Sequence, residues 1–514
     1  MRNIRIIVTV LFMAVLGSTS MAQMVTPVDF MRNNPRSVFA NPAFFTKDYG
    51  YFDLGLGGIN FGVQNIGLKY DKFFRFDQMG HPTVLDLNSG VASLRNVNYL
   101  NTYLNFDIFH CGRRTKHGYF TYTHRLREYE SVSYNKDLVQ LAAQGNAAFL
   151  GENNPADINL GISARVFQEF DFGYQMSLTE QWNIGLRLKF LMGFMDAKTN
   201  TLNVKLYTDP NTYALRLMTA ANVRGSIPYQ ILMENGEMTI VDRRFNPANL
   251  FKNYGGGIDL GGEYIINDQW GVAAAINDLG FIKWNNYSYN FVGRLQDNGS
   301  FYDNGAFVFS GLTEEQVNAI TNDPDYASQL VDSLVGYFNL NPQSVASYTS
   351  GLNTNFMVRG YYDLDPQNRF SAQFMGYNVG LGIKPAMTLA YTGSFGDKYD
   401  VVATYTMMPG SFDNIGVGLS ANFGGLLLYI ASNNIFGFFN PANRSMVHAQ
   451  FGISLTSGEF VSRAETIIIK DKAKELEENE EELLEEKNEE KFEEKVDGKT
   501  AEPKVIPVKN NMLN

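Results

Sequence analysis

The chain has 514 residues, a formal net charge of −11, one cysteine and a mean hydropathy of −0.19, with 47 Gly, 39 Phe and 28 Tyr. That balance is too polar for a bundle of membrane helices, no later stretch reaches 18 uninterrupted apolar residues, and the single Cys111 excludes an intramolecular disulfide framework. The acidity is local: residues 470–499 hold 14 acidic residues and seven lysines, a net −7, which leaves about −4 for everything else.

At the N-terminus, Arg2 and Arg5 precede an apolar run from Ile6 to Leu16, followed by Ser20-Met21-Ala22. This is the pattern of a signal peptide over 1–22, with Gln23 first in the mature chain and no cysteine there to accept a lipid. Residues 23–50 carry Asn41-Pro42-Ala43, which breaks regular structure and marks a loop end. The tripeptide recurs inside Phe-Asn-Pro-Ala-Asn at 245–249 and 439–443.

From residue 51 to 456 apolar side chains fall on every second position in segments of about ten, the length of a tilted strand crossing a bilayer. Leu104, Phe106 and Ile108 alternate with Asn105 and Asp107. Phe170, Phe172, Tyr174 and Met176 alternate with Glu169, Asp171, Gly173 and Gln175. Ile184, Leu186, Leu188 and Phe190 alternate with Gly185, Arg187 and Lys189. One face suits lipid and the other water. A soluble β-sandwich also alternates, but here the watery face mixes acids, bases and glycines, and aromatics reach 14 %, as interfacial girdles require. The expected fold is all-β, a transmembrane antiparallel barrel. Its strands are expected near 51–70, 98–109, 118–128, 165–178, 182–195 with an extension to 208, 255–266, 270–277, 353–364, 369–377, 383–393, 398–408, 412–423, 426–432 and 445–456, fourteen in all. On the polar face Glu169, Asp171, Arg187 and Lys189 are the lumen candidates.

Short connections, at 110–117, 179–181, 267–269, 365–368, 394–397 and 424–425, occupy every second junction. Long excursions near 71–97, 129–164, 209–254 and 278–352 fall at the others. An even count with this parity places both termini in the periplasm. Cys111 reads as a turn residue, and His117 and His124 as interfacial or lumenal. Trp182 and Trp270 each follow a polar turn and start a strand, which suits the inner membrane interface. Asn235-Gly236 signals a two-residue hairpin, and Thr313 with Gln316 precedes a helical pattern over 326–337 that would cap the outer mouth. The final stretch, 457–514, reads as an acidic, helix-forming periplasmic arm without a heptad seam.

The five histidines are scattered and none has the spacing of a metal pair, and no nucleotide loop, nucleophile elbow or redox pair occurs. Asp363-Leu364-Asp365 and Asp323-Pro324-Asp325 are better read as turn residues than as calcium ligands. No enzyme, cofactor, metal or nucleic-acid partner is expected.

An early Asn41-Pro42-Ala43 just ahead of the first of about fourteen strands resembles the FadL-type outer-membrane transporters. Together with Asn277-Asp278-Leu279-Gly280-Phe281-Ile282-Lys283-Trp284 and Asn433-Asn434-Ile435-Phe436-Gly437-Phe438-Phe439-Asn440-Pro441, it also looks like Bacteroidota outer-membrane barrel families of unknown function, which in turn resemble PorV- and PorP-type barrels. The resemblance covers about 35–460 and implies that residues 23–50 fold into the lumen as a hatch, with Asn41, Pro42 and Ala43 within it. The function it favours is a channel for a small apolar or amphiphilic molecule. The alternative is a binding or scaffold barrel of a secretion or cell-envelope complex. Expected partners are outer-membrane lipid, a small hydrophobic ligand and a periplasmic protein met through the acidic arm.

Overall fold

A computed structural model describes residues 25–44, 52–77, 82–115, 118–211, 215–234, 237–240, 247–292, 307–309, 341–378, 383–396 and 398–457. The expected cap over 326–337, the signal peptide and the acidic arm lie outside them. No described helix is long and apolar enough to cross a membrane. The crossing elements are strands.

Fourteen antiparallel strands close into a barrel. They are β1 (Phe52–Ile66), β2 (Val97–Arg114), β3 (Gly118–Asn135), β4 (Leu160–Ser177), β5 (Trp182–Thr208), β6 (Tyr254–Ile265), β7 (Trp270–Trp284), β8 (Asn355–Asp363), β9 (Asn368–Asn378), β10 (Ile383–Phe395), β11 (Tyr399–Met408), β12 (Ser411–Phe423), β13 (Leu426–Ser432) and β14 (Met446–Ser457). Each pairs with the next, and β14 returns to β1 with Phe52 opposite Ser457 and Gln64 opposite Met446. Closure leaves no strand edge, which is what a bilayer demands of backbone that cannot hydrogen-bond to water.

The alternation in sequence becomes inside and outside. On β5, Ile184, Leu186, Leu188 and Phe190 are 37–53 % exposed, whereas Arg187 and Lys189 are 1 % and 6 % exposed. The start of β1 and the end of β14 share the rim of short turns. There Trp182 stacks 4.7 Å from Tyr264 and Trp270 4.7 Å from Tyr362, so two amphipathic ring pairs mark one interface. At the opposite rim β5 continues for 27 residues in total, and its far half pairs with Leu215–Ser226, which pairs in turn with Ser288–Val292. Ile231–Glu234 and Glu237–Ile240 form the hairpin expected around Asn235-Gly236.

Three local expectations are corrected. Cys111 is not a turn residue: β2 runs on to Arg114 and places it in a strand, so the connection is only 115–117. His110, expected in that turn, is a fully buried strand residue bonded to Thr123 and 3.1 Å from Asp53. A polar run such as His-Cys-Gly-Arg-Arg looks like a turn only when the inside of the barrel is ignored. His124 is neither lumenal nor at a strand end; it sits opposite Phe170 on the outward face of β3 and stacks on that ring at 4.3 Å. His117 lies outside the described residues.

Outward Leu188 is flanked by apolar neighbours on both sides, so Leu188→Arg should destabilise the barrel by about 2–4 kcal/mol, the cost of Arg near the bilayer midplane. The same change at exposed Leu85, in the long loops, should stay within about 0.5 kcal/mol. Urea unfolding in lipid vesicles measures both.

Candidate functional site: a filled lumen

Fourteen strands enclose more space than inward side chains can fill. Here residues 25–43 occupy it. Two short 3-10 turns, Pro27–Phe30 and Pro35–Phe39, compact the segment. Pro at the first position of each supplies the fixed φ, and Asn34 Oδ1 caps the second by accepting from Arg36 N. Val28, Asn34, Asn41 and Ala43 are fully buried.

Asn41, the first residue of the Asn-Pro-Ala motif, spans two strands. Its Nδ2 donates to the carbonyls of Gly262 on β6 and Ala274 on β7, each at 3.2 Å, while its Oδ1 accepts from Ala43 N at 2.8 Å. Pro42 lies against Gly185. A Cβ built on Gly185 would overlap the Pro42 backbone, one on Gly261 would overlap the Asn41 side chain, and one on Gly418 would crowd Met31 and Pro27. These glycines are where the segment needs the wall to be thin.

The four polar-face residues expected to line the lumen lie within one buried cluster. Arg125 binds Glu169 and, at 3.0 Å, Asp171; Arg127 bridges Glu169 at 2.6 Å and takes Asp278 in a two-pronged contact of 2.8 and 3.0 Å. Lys189 reaches Asp259 at 3.0 Å and Asp278 at 2.5 Å, and Arg187 lies 3.2 Å from Asp259 and donates to the Val38 carbonyl. Four cations thus face four carboxylates on five consecutive strands. All eight are at most 6 % exposed, so at this level the inner face is a dry ion network rather than the water-wetted surface expected.

Sequence reading missed Arg125, Arg127, Asp259 and Asp278. The first two lie on the inward parity of β3 and were open to detection. Asp278 was not, because it sits at an irregularity. The register with β6 shifts between Ile258 and Leu260, and Asp278 takes φ of 59°, a region that Asp tolerates better than most residues. Its N–H donates to Asp259 at 2.6 Å. The signals were two successive polar residues, Asn277-Asp278, and their place at the head of the 277–284 motif, neither of which marks Asp278 as inward.

Aromatic rings complete the contact. Phe39 of the segment lies 4.2 Å from the Arg125 guanidinium and 5.2 Å from that of Arg187. Arg359 of β8 lies between two segment rings, 4.0 Å from Phe30 and 4.5 Å from Phe44. Towards the long-loop rim the inward face turns apolar, with Tyr129, Phe167, Leu191, Ile282, Trp284 and Leu352 all at most 5 % exposed.

A family profile matches residues 42–433, from the Pro of the Asn-Pro-Ala motif through β13. The chain belongs to the family of unknown function DUF5723. That family match takes in most of the barrel wall, including the whole ion network. No curated protein matches the sequence. Among solved structures, the chain is similar to a Pseudomonas aeruginosa FadL homologue, at 8 % identity and a TM-score of 0.38 over 86 % of this chain and 100 % of that one. It is similar to the Ralstonia pickettii toluene transporter TbuX at 9 % identity and a TM-score of 0.37, over 85 % and 95 %. The Pseudomonas putida toluene transporter TodX gives 8 % and 0.35, over 85 % and 93 %.

Two outcomes follow from this geometry. Gly261→Leu should displace the segment and raise conductance in planar bilayers, whereas Gly262→Leu, one residue on and facing away from it, should leave conductance unchanged. Asp278→Ala leaves Arg127 to Glu169 and Lys189 to Asp259, so that four buried cations face three carboxylates, and should cost about 3–5 kcal/mol in urea unfolding, the usual penalty for one uncompensated buried charge.

Proposed function

We propose that this chain is an outer-membrane transporter whose lumen is closed by its own N-terminal hatch, residues 23–50, and that it passes a small apolar or amphiphilic molecule. The observation that carries this reading is the segment 25–43 inside the barrel. It is held by side-chain hydrogen bonds and ring contacts and adds no strand to the wall, so moving it breaks no backbone ladder. The eight charges of the ion network pair among themselves and remain neutralised when it moves, whereas Asp107 gives up Arg36, 3.7 Å away, and Asp363 gives up Arg32, 3.8 Å away, and keeps Arg369.

The apolar layer of Phe167, Leu191, Ile282 and Trp284, between the ion network and the long loops, supports an apolar or amphiphilic cargo. Such barrels keep short turns on the periplasmic side, and the described ends of the wall lie at that rim. The hatch then hangs from the periplasmic rim, and residues 457–514 form a periplasmic acidic arm with the charge to meet a basic partner.

A filled lumen also suits a scaffold barrel, and flux separates the two. Vesicles with a lipopolysaccharide outer leaflet should admit a fluorescent fatty acid faster with the protein than without it, and faster again with Gly261→Leu, while sucrose stays out of vesicles holding the unaltered protein. Correctly inserted protein that speeds neither would overturn transport in favour of the scaffold.

A further inference from the structure

Ten of the segment's backbone carbonyls fall into two sets. Those of Thr26, Val28, Asn34, Ser37 and Asn41 accept from N–H groups within the segment itself. Those of Val25, Asp29, Phe30, Val38 and Ala40 are free of the turns, and each is met by a different wall side chain. Asn433 Nδ2 donates to Val25 at 2.7 Å, Arg359 Nη1 to Asp29 at 2.8 Å, Thr392 Oγ1 to Phe30 at 3.1 Å and Asn277 Nδ2 to Ala40 at 2.9 Å, and Arg187 donates to Val38. Facing the short-turn rim, Asp400 accepts the Asn33 N–H at 2.7 Å and its side-chain amide at 3.1 Å.

A wall that merely packed a plug would bury apolar side chains against it. This one reads main chain from several strands at once, and it adds positions for aromatic rings on Arg359 and Arg125. Both are features of a site that binds peptide, here one folded into turns: contacts to the carbonyls that the turns leave over supply grip without regard to sequence, and ring positions at intervals supply selection. The wall also has capacity left over. Asn433 Oδ1, Asn277 Oδ1 and Arg359 Nη2 are buried without a hydrogen-bond partner among the described residues.

We propose that the inner face of β5, β7, β8 and β10, with Asn433 just past β13, is a peptide-binding site, that residues 25–44 are its resident ligand, and that the ligand class it takes is a turn-forming, aromatic-bearing peptide. When the segment withdraws, Asn433, Arg359, Thr392 and Asn277 each lose the carbonyl they donate to, although Arg359 keeps Gln373 and Asn277 keeps Asn355. Donors released from these carbonyls need water or another acceptor, so the vacated wall favours a second peptide over an apolar filling. This holds whether or not any small molecule crosses the barrel.

The test uses the full-length chain with a protease site inserted within 45–50, cut after folding so that the segment becomes a separate peptide. A fluorescent synthetic peptide of residues 25–44 is then added in excess, and binding is read by anisotropy, with unboiled gel mobility reporting that the barrel stays closed. The expected result is retention of the cut fragment, saturable replacement by the labelled peptide, and affinity at least tenfold weaker when Phe30, Phe39 and Phe44 of the peptide are all Ala. Arg359→Gln in the wall should weaken it by a similar factor. Absence of saturable binding overturns the proposal, as does equal binding of the peptide lacking its three rings. A fragment that resists replacement until the barrel itself unfolds also overturns it, since the segment would then be a fixed part of the wall.

Discussion

A closed sheet of fourteen strands cannot fill its own interior, and most of what is specific to this molecule answers that constraint. A barrel of about eight strands meets its opposite wall with side chains alone. Here the gap is bridged by a length of the same chain, and the wall is shaped for it. Glycines stand where the segment passes closest, amides and arginines stand where its carbonyls emerge, Asp107 and Asp363 face its arginines, and the charges of the ion network cancel one another. The ion network gains little net stability, because desolvation offsets most of its Coulomb energy. What it provides is an interior surface that stays rigid and neutral beside a neighbour attached by other means.

The division of labour within the lumen follows from depth. Near the short turns, Arg32 and Asn33 reach Pro366 and Asp400, and the contacts are polar. In the middle, charge meets charge. Beyond that, Trp284 donates to Ser350 at 2.7 Å within an otherwise apolar layer. An object moving along the axis would meet three different environments in turn, and the segment 25–43 engages mainly the first two.

The wall was legible because strand periodicity repeats everywhere: the parity that puts Leu188 outside and Arg187 inside is set by neighbours two residues away. The polar face of β5 identified Arg187 and Lys189 as inward, and the Asn-Pro-Ala motif drew attention to Asn41. What those residues touch was not legible, since Asn41 bonds to residues more than 200 positions later and Arg127 to one 151 later. Errors clustered where polarity has two explanations. His110 looked like a turn because a polar strand end and a loop have the same composition, and the inner face looked wet because sequence shows charge but not its partner. Asp278 escaped for a third reason, that an irregular backbone interrupts the parity on which every other assignment rested.

The position of the segment also constrains how the molecule is put together. The residues that lead into β1 end innermost, and the seam that seals the wall joins β1 to β14, the first strand to the last. Residue 44 lies in contact with Arg359, and β1 begins at residue 52, so the tether between plug and wall is only seven residues long. The inside must therefore be filled either before that seam zips or by end-on entry through a rim already crowded by short turns. Assembly of this barrel is a matter of enclosure as well as pairing, with the earliest part of the fold serving as the core around which the latest part closes.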